Sequence, residues 1–391
     1  MRQEFRTLRN QFQHPLVARI FGVSLLILGI GAVFVYSASS AKAARDYGDS
    51  FFFLREHISR VLVAVIAALL VATVNYRRWL RAGLLMVVVS AVVLFMMPFL
   101  PSTLVPHING AQRWLDLPLL PSLQPSEFAR FALLVYLAGF LERKHEHLRE
   151  FGNGVLPPMV VCLVLSATIL FGRDFASAAI LGALAWLILW LAGARNRHLL
   201  LLALPLVVAA VVAVVTSEYR LTRVETYVQQ LLHPGVDRLD TGFHVWQSLI
   251  CFAGGGWFGA GVGQSWQKFF FLPEAHTDFL FAIVGEEMGF VGATVLLGLY
   301  GWLCWLGIRA AQAAPDLFGR YLALGVSTTI FLMAFLHVAV AITLVPTTGL
   351  PMPLLSFGGS NLVTTMIAIG VVMNIASRGA IQSRHPAKER N

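Results

Sequence analysis

One stretch concentrates the residues that could do chemistry: Gly254 to Gly289, GGGWFGAGVGQSWQKFFFLPEAHTDFLFAIVGEEMG. A glycine-rich segment runs into a polar corner, Pro273-Glu274-Ala275-His276-Thr277-Asp278, and an apolar helix with two adjacent carboxylates follows. Ionisable residues beside or within apolar spans are costly and point to function by default. If the helix begins near Asp278, Glu286 lies about 12 Å further along the axis and roughly 80° around it, with Glu287 nearly opposite. Asp278 and Glu286 can then line one cavity while Glu287 packs elsewhere. Asp278 reads either as a helix N-cap, for which Asp is favoured, or as a catalytic carboxylate. Glu286 and Glu287 read either as structural ion pairs within a bundle or as site residues. His276 reads as a hydrogen-bond partner rather than a metal ligand, because no second His or Cys stands at metal spacing.

A second polar group is Gln124-Pro125-Ser126-Glu127-Phe128-Ala129-Arg130. Proline suits the first turn of a helix, and Glu127 and Arg130, three residues apart, share a face. They form either an intrahelical ion pair or the wall of a polar cavity in which Arg130 holds phosphate oxygens; both can hold at once. Arg113 beside Trp114, Tyr219-Arg220 with Arg223, and Lys268 put cations next to aromatics. Such groups anchor a chain at the membrane interface and contact headgroups, and they could recognise an anionic lipid diphosphate. The glycines at 254–263 do not match a phosphate loop and indicate close backbone packing or a flexible loop.

The elements that must position these groups are membrane helices. Of 391 residues 57% are hydrophobic and 13% charged, and the mean hydropathy is +0.73, whereas a soluble domain carries roughly a quarter charged residues. Continuous apolar runs exclude a β-barrel, whose strands alternate. The expected fold is an all-α polytopic membrane protein forming one domain over 1–391. Its ten spans are expected at about 16–38, 59–75, 80–99, 125–141, 155–172, 175–193, 198–216, 278–308, 317–345 and 360–377. Of the 29 Lys and Arg, 18 fall on the side of the chain termini, which places tails 1–15 and 378–391 in the cytoplasm. The net charge of +9 reflects this orientation and not nucleic-acid binding. The outer connections are then 39–58, 100–124, 346–359 and the long 217–277, which is expected to hold short amphipathic helices. The three cysteines suggest neither disulfides nor a metal site, and the first span reads as permanent rather than as a cleaved signal.

At its motifs the chain resembles the SEDS family (shape, elongation, division and sporulation) of bacterial peptidoglycan polymerases. The resemblance rests on NGAQRWL (109–115), QPSEFAR (124–130), YRLTR (219–223), GGGWFGAGVGQS (254–265), LPEAHTDFLFAIVGEEMG (272–289) and PTTGLPMPLLSFGGS (346–360). Ala275 resembles the division branch more than the elongation branch. The resemblance implies ten spans with the large extracytoplasmic loop between spans seven and eight. It implies an inverting glycosyltransferase of the inner membrane that joins lipid II units into β-1,4 glycan strands. Asp278 is then the general base; Glu127, Arg130, Arg113, Lys268, Arg220, Arg223, His276 and Glu286 are substrate-binding candidates. The leaving diphosphate needs positive charge, from arginine or lysine or from a divalent cation, Mg or Mn. The implied partners are lipid II, a class B penicillin-binding transpeptidase and other division proteins. The chain departs from the family pattern at Arg130 (usually Lys), Arg173, His244, His337, Thr348, Phe357 and Asn361. Two rival readings are a lipid II flippase, whose buried charges would line a path, and a non-catalytic division scaffold, which needs no carboxylate at 278.

Overall fold

The computed structural model describes every residue except 1–13, 108–110, 118–121, 217, 233–241, 270, 271, 273 and 385–391. The described chain is helical: α1 (Pro15–Tyr47), α2 (Phe52–Thr73), α3 (Arg77–Met96), α4 (Pro125–Lys144), α5 (Leu156–Phe171), α6 (Phe175–Leu191), α7 (Asn196–Val215), α8 (Glu218–Leu232), α9 (Phe243–Gly255), α10 (Leu280–Gln312), α11 (Leu317–Ala341) and α12 (Ser360–Arg384). An isolated antiparallel bridge, Leu115 to Leu123, stands outside them. Helices suit such apolar runs because each satisfies its own backbone hydrogen bonds, as hydrocarbon requires.

Each of the ten expected spans coincides with a helix. Among the described residues, seven helices are long and apolar enough by themselves to cross a membrane. The other three fall short for visible reasons. α4 carries Glu127, Arg130, Glu142, Arg143 and Lys144; α6 has 17 residues; α7 is counted only over Asn196–Val208. The segment 39–58, expected as a connection, is mostly helix. α1 runs through SSAKAARDY to Tyr47, because alanine and long polar residues sustain a helix after hydropathy falls, and it stops at Gly48 with a left-handed cap. The 217–277 segment contains α8 and α9, as expected of a loop with its own helices.

α4 lies at the centre. Between Pro125 and Leu141 every residue except Phe128 and Tyr136 is buried, the pattern of a helix surrounded on all sides. One end of the bundle is fastened by a polar knot. Asn374 accepts the Tyr76 amide at 3.0 Å and donates to the Ala72 carbonyl at 2.6 Å. Asp316 takes the Tyr76 hydroxyl, the Arg77 Nε at 2.8 Å and the Gly319 amide at 2.7 Å. Burial pushes the Asp316 carboxyl up, but these three donors outweigh it and hold the pKa below the usual value. The opposite end gathers the loops and the residues singled out in the sequence.

Candidate active site

The glycine-rich segment is bolted to α10 backbone to backbone. Ala260 and Gly261 donate to the carbonyls of Glu286 and Glu287 at 2.9 and 3.0 Å, and Phe290 and Val291 donate back to Gly256 and Trp257 at 2.9 and 3.1 Å. α10 breaks for this at Gly289, whose φ of 66° and ψ of −167° are not helical. A Cβ on Gly289 would lie 2.4 Å from the Gly259 nitrogen, and one on Gly259 2.2 Å from the Glu287 carbonyl oxygen. Glycine is therefore required on both sides of the contact.

The two carboxylates complete the bolt. Glu286 accepts the Trp266 amide at 2.9 Å and the Ser265 hydroxyl at 2.5 Å. Glu287 accepts the Gly263 amide at 2.9 Å, the Ser265 amide at 3.3 Å and the Ser37 hydroxyl at 2.5 Å. Lys268 lies 3.9 Å from Glu287 and donates to the Gly263 carbonyl. Both carboxylates are thus engaged by the same loop. Glu286 turns onto Ser265 and Trp266, and Lys268 folds inward with its side chain only 8% exposed. A helical wheel gives direction but not the neighbour, and here the neighbour of both glutamates is the glycine-rich loop.

Next to the bolt, residues 274–279 make a tight turn in which the Thr277 and Asp278 amides both donate to the Glu274 carbonyl at 3.1 Å. Glu274 pairs with Lys42 at 3.4 Å. His276 is buried against the rings of Phe53 (4.8 Å) and Phe357 (5.5 Å), and its carbonyl accepts the Phe357 amide at 3.0 Å. Burial pushes its pKa down to about 4, with Glu274 opposing and Lys42 adding to the shift. His276 therefore pins the corner to the last loop. His244 stacks on Phe279, centroids 6.2 Å apart.

Asp278 lies outside the N-cap, which is Phe279. Its side chain is half-buried and reaches Gly349 in the last loop. A Cβ on Gly349 would stand 3.4 Å from Asp278 Oδ2 and 3.9 Å from Arg113 Nη1. Gly349 itself is exposed, so a carboxylate and a guanidinium meet over one open patch. Arg113 is held from behind: its Nε lies 3.6 Å from Asp174 Oδ1, and the neighbouring Gln112 amide donates to the Gly172 carbonyl at 3.1 Å. Asp174 also caps α6 through the Ser177 amide at 3.3 Å.

α4 supplies the floor. Arg130 and Glu127 form a two-pronged pair at 2.9 and 3.0 Å, 6% and 2% exposed. Asn361 donates to Glu127 at 3.3 Å, and Ser360 accepts the Gln124 amide at 2.8 Å. Both terminal nitrogens of Arg130 are committed to Glu127, so its reading as a helical ion pair holds, and through Asn361 the pair anchors the start of α12 to α4. The departures from the family pattern do similar work. His337 contacts the Leu350 carbonyl at 2.9 Å, and Arg60 lies over the Phe357 ring at 4.3 Å. The side chains of Arg220 and Arg223 lie outside the described residues. Sequence reasoning missed Asp174 as the partner of Arg113, and Gly349, whose only signal was its place in an uncharged loop.

Among the described residues no three His, Cys, Asp or Glu side chains are grouped to hold an ion, and the near neighbour of Asp278 across Gly349 is a cation.

The fold and this arrangement define a polytopic helical membrane protein with a carboxylate and a guanidinium presented together at one end of the bundle. A family model described as a cell cycle protein family, FtsW/RodA/SpoVE, matches residues 18–380. The chain belongs to that family. It is 37% identical over 369 residues to a probable peptidoglycan glycosyltransferase FtsW of Geobacter metallireducens, covering 94% of this chain and 95% of the relative. It is 36% identical over 358 residues to the stage V sporulation protein E of Bacillus subtilis, covering 90% and 95%. Among solved structures it resembles a chain of a peptidoglycan synthase complex that coordinates polymerization and crosslinking, with a TM-score of 0.71, 28% identity and coverage of 91% and 97%. The rod shape determining protein RodA of Thermus thermophilus shares the fold, with a TM-score of 0.64, 23% identity and coverage of 91% and 95%.

Proposed function

We propose that this chain is a peptidoglycan glycosyltransferase of the bacterial cytoplasmic membrane that polymerises lipid II, acting in septal wall synthesis. The observation that carries the mechanism is the meeting of Asp278 and Arg113 over Gly349. Asp278 takes the proton from the acceptor sugar 4-hydroxyl as that oxygen attacks the donor anomeric carbon. The bond from that carbon to the diphosphate breaks on the opposite face, so an α-linked donor gives a β-linked product. A diphosphate leaves readily, so one carboxylate base is enough. Arg113 stabilises the charge that develops on the departing diphosphate, and Asp174 orients Arg113. Glu127 and Arg130 build the floor, Glu286, Glu287 and Lys268 build the bolt, and none of these five touches substrate in this reading.

Both termini then face the cytoplasm and Asp278 the outside, following the arginine and lysine bias. The chain acts with a class B penicillin-binding transpeptidase, a reading supported by its likeness to a chain of a polymerising and crosslinking complex. The test is polymerisation of purified lipid II by wild type and Asp278→Asn, each with and without a cognate transpeptidase whose own active site is disabled. Strands from wild type and none from folded Asp278→Asn support the base. Equal product from both removes Asp278 from the chemistry. No product from either with the partner present returns the flippase and scaffold readings, which lipid scrambling then separates.

A further inference from the structure

At the end of the bundle opposite Asp278, a groove of about 460 Å³ opens between α3 and α4. Its walls are Leu80, Leu84, Val135 and Tyr136, and Arg81 and Arg143 stand at its mouth from facing helices. That volume is within the range of sites that hold small ligands, roughly 300–1,000 Å³. Leu84 is 59% exposed, so the groove faces the surroundings of the bundle and not its core.

The two arginines differ from others near this bundle's polar groups. Arg77 is paired with Asp316, Arg60 with Glu56, Arg130 with Glu127 and Arg113 with Asp174. Arg81 and Arg143 have no ion pair or hydrogen bond among the described residues, and both are exposed. Arg143 is turned toward the groove: its Nη1 lies 3.6 Å from the place of a Cβ on Gly139. Two uncompensated guanidiniums above an apolar trough call for a ligand with an anionic head and a hydrocarbon body. The chain's own tails do not fit, because residues 1–13 carry Arg2, Arg6 and Arg9, and 385–391 carry Lys388 and Arg390. Nor is the groove part of the site described above: Glu127 and Arg143 are sixteen residues apart on α4, about 24 Å along the axis.

We propose that this groove is a binding site for one anionic phospholipid, its phosphodiester held between Arg81 and Arg143 and an acyl chain lying along Leu80, Leu84 and Val135. Planar guanidiniums suit phosphate oxygens. The lipid ties α3 to α4, the helix that carries the Glu127–Arg130 floor.

Native mass spectrometry of the full chain in mixed micelles of phosphatidylglycerol and phosphatidylcholine tests this, comparing wild type with the double variant Arg81→Gln/Arg143→Gln. A second double variant, Arg78→Gln/Arg320→Gln, removes the same charge at the same end outside the groove. Wild type and the second variant should retain one phosphatidylglycerol in preference to phosphatidylcholine, and the groove variant should bind it about ten- to thirtyfold more weakly. Thermal unfolding should show added phosphatidylglycerol stabilising wild type and not the groove variant, with inorganic phosphate at the same concentration having no effect. Equal weakening in both double variants would reduce the effect to general charge and overturn the site. So would unchanged retention in the groove variant, or protection by inorganic phosphate alone.

Discussion

Two sets of charges at the same end of this bundle behave in opposite ways. Glu127, Arg130, Glu286 and Glu287 are at most 6% exposed, and each is engaged by protein groups. Asp278 and Arg113 are half-buried and meet over an exposed glycine. All six are costly charges near apolar helices. The first four are held by protein hydrogen bonds and fix the fold; Asp278 and Arg113, the latter backed by Asp174, border an exposed glycine, where the proposed function has them act on substrate. The difference also bears on the flippase reading, since the buried charges are tied by hydrogen bonds into loops and floor.

The comparison breaks most sharply at Asp278. Asp278→Asn should lower lipid II polymerisation by about 10²- to 10⁴-fold, the usual worth of a general base, with the thermal unfolding midpoint unchanged. A large loss of stability would move Asp278 into the structural set. For the structural set the prediction is reversed. Glu127→Gln should cost about 3–5 kcal/mol by leaving Arg130 buried without its partner. The double variant Glu127→Gln/Arg130→Met should recover much of that in a denaturation assay. If the single variant unfolds no earlier than wild type, the pair is not holding the floor.

Smaller effects sharpen the distinction. Arg113→Ala should slow polymerisation about 10- to 100-fold, and Arg113→Lys should restore part of the rate, since charge returns without the planar fork. Asp174→Asn should act in the same direction and more weakly, and adding it to Arg113→Ala should cause little further loss; additive losses would separate Asp174 from Arg113. The smallest effect concerns pH. His276 has a folded pKa of about 4 against an ordinary 6.5, so between those values the unfolded chain binds more protons. Stability is therefore lost as pH falls from about 6.5 toward 4, by about 2 kcal/mol at pH 5. In His276→Asn the unfolding midpoint should vary less over that window.

The composition alone determined an all-α membrane protein, and hydropathy placed ten helices, because hydrocarbon leaves an apolar chain few alternatives. The Pro125 helix start, the Glu127–Arg130 pair and the close backbone packing of the glycine segment were all legible locally. They depend on neighbours three or four residues away, or on the lack of side chains. Residue spacing could not say that Glu286 turns onto Ser265 and Trp266, that Lys268 folds inward, or that Asp278 lies outside the helix cap. Nor could it pair Arg113 with Asp174, sixty-one residues apart in the chain, or bring both Arg113 and Asp278 to Gly349. Those contacts join segments far apart in sequence. Which charges are buried in the bundle and which lie beside an exposed glycine was decided only when the loops packed together at one end of the bundle.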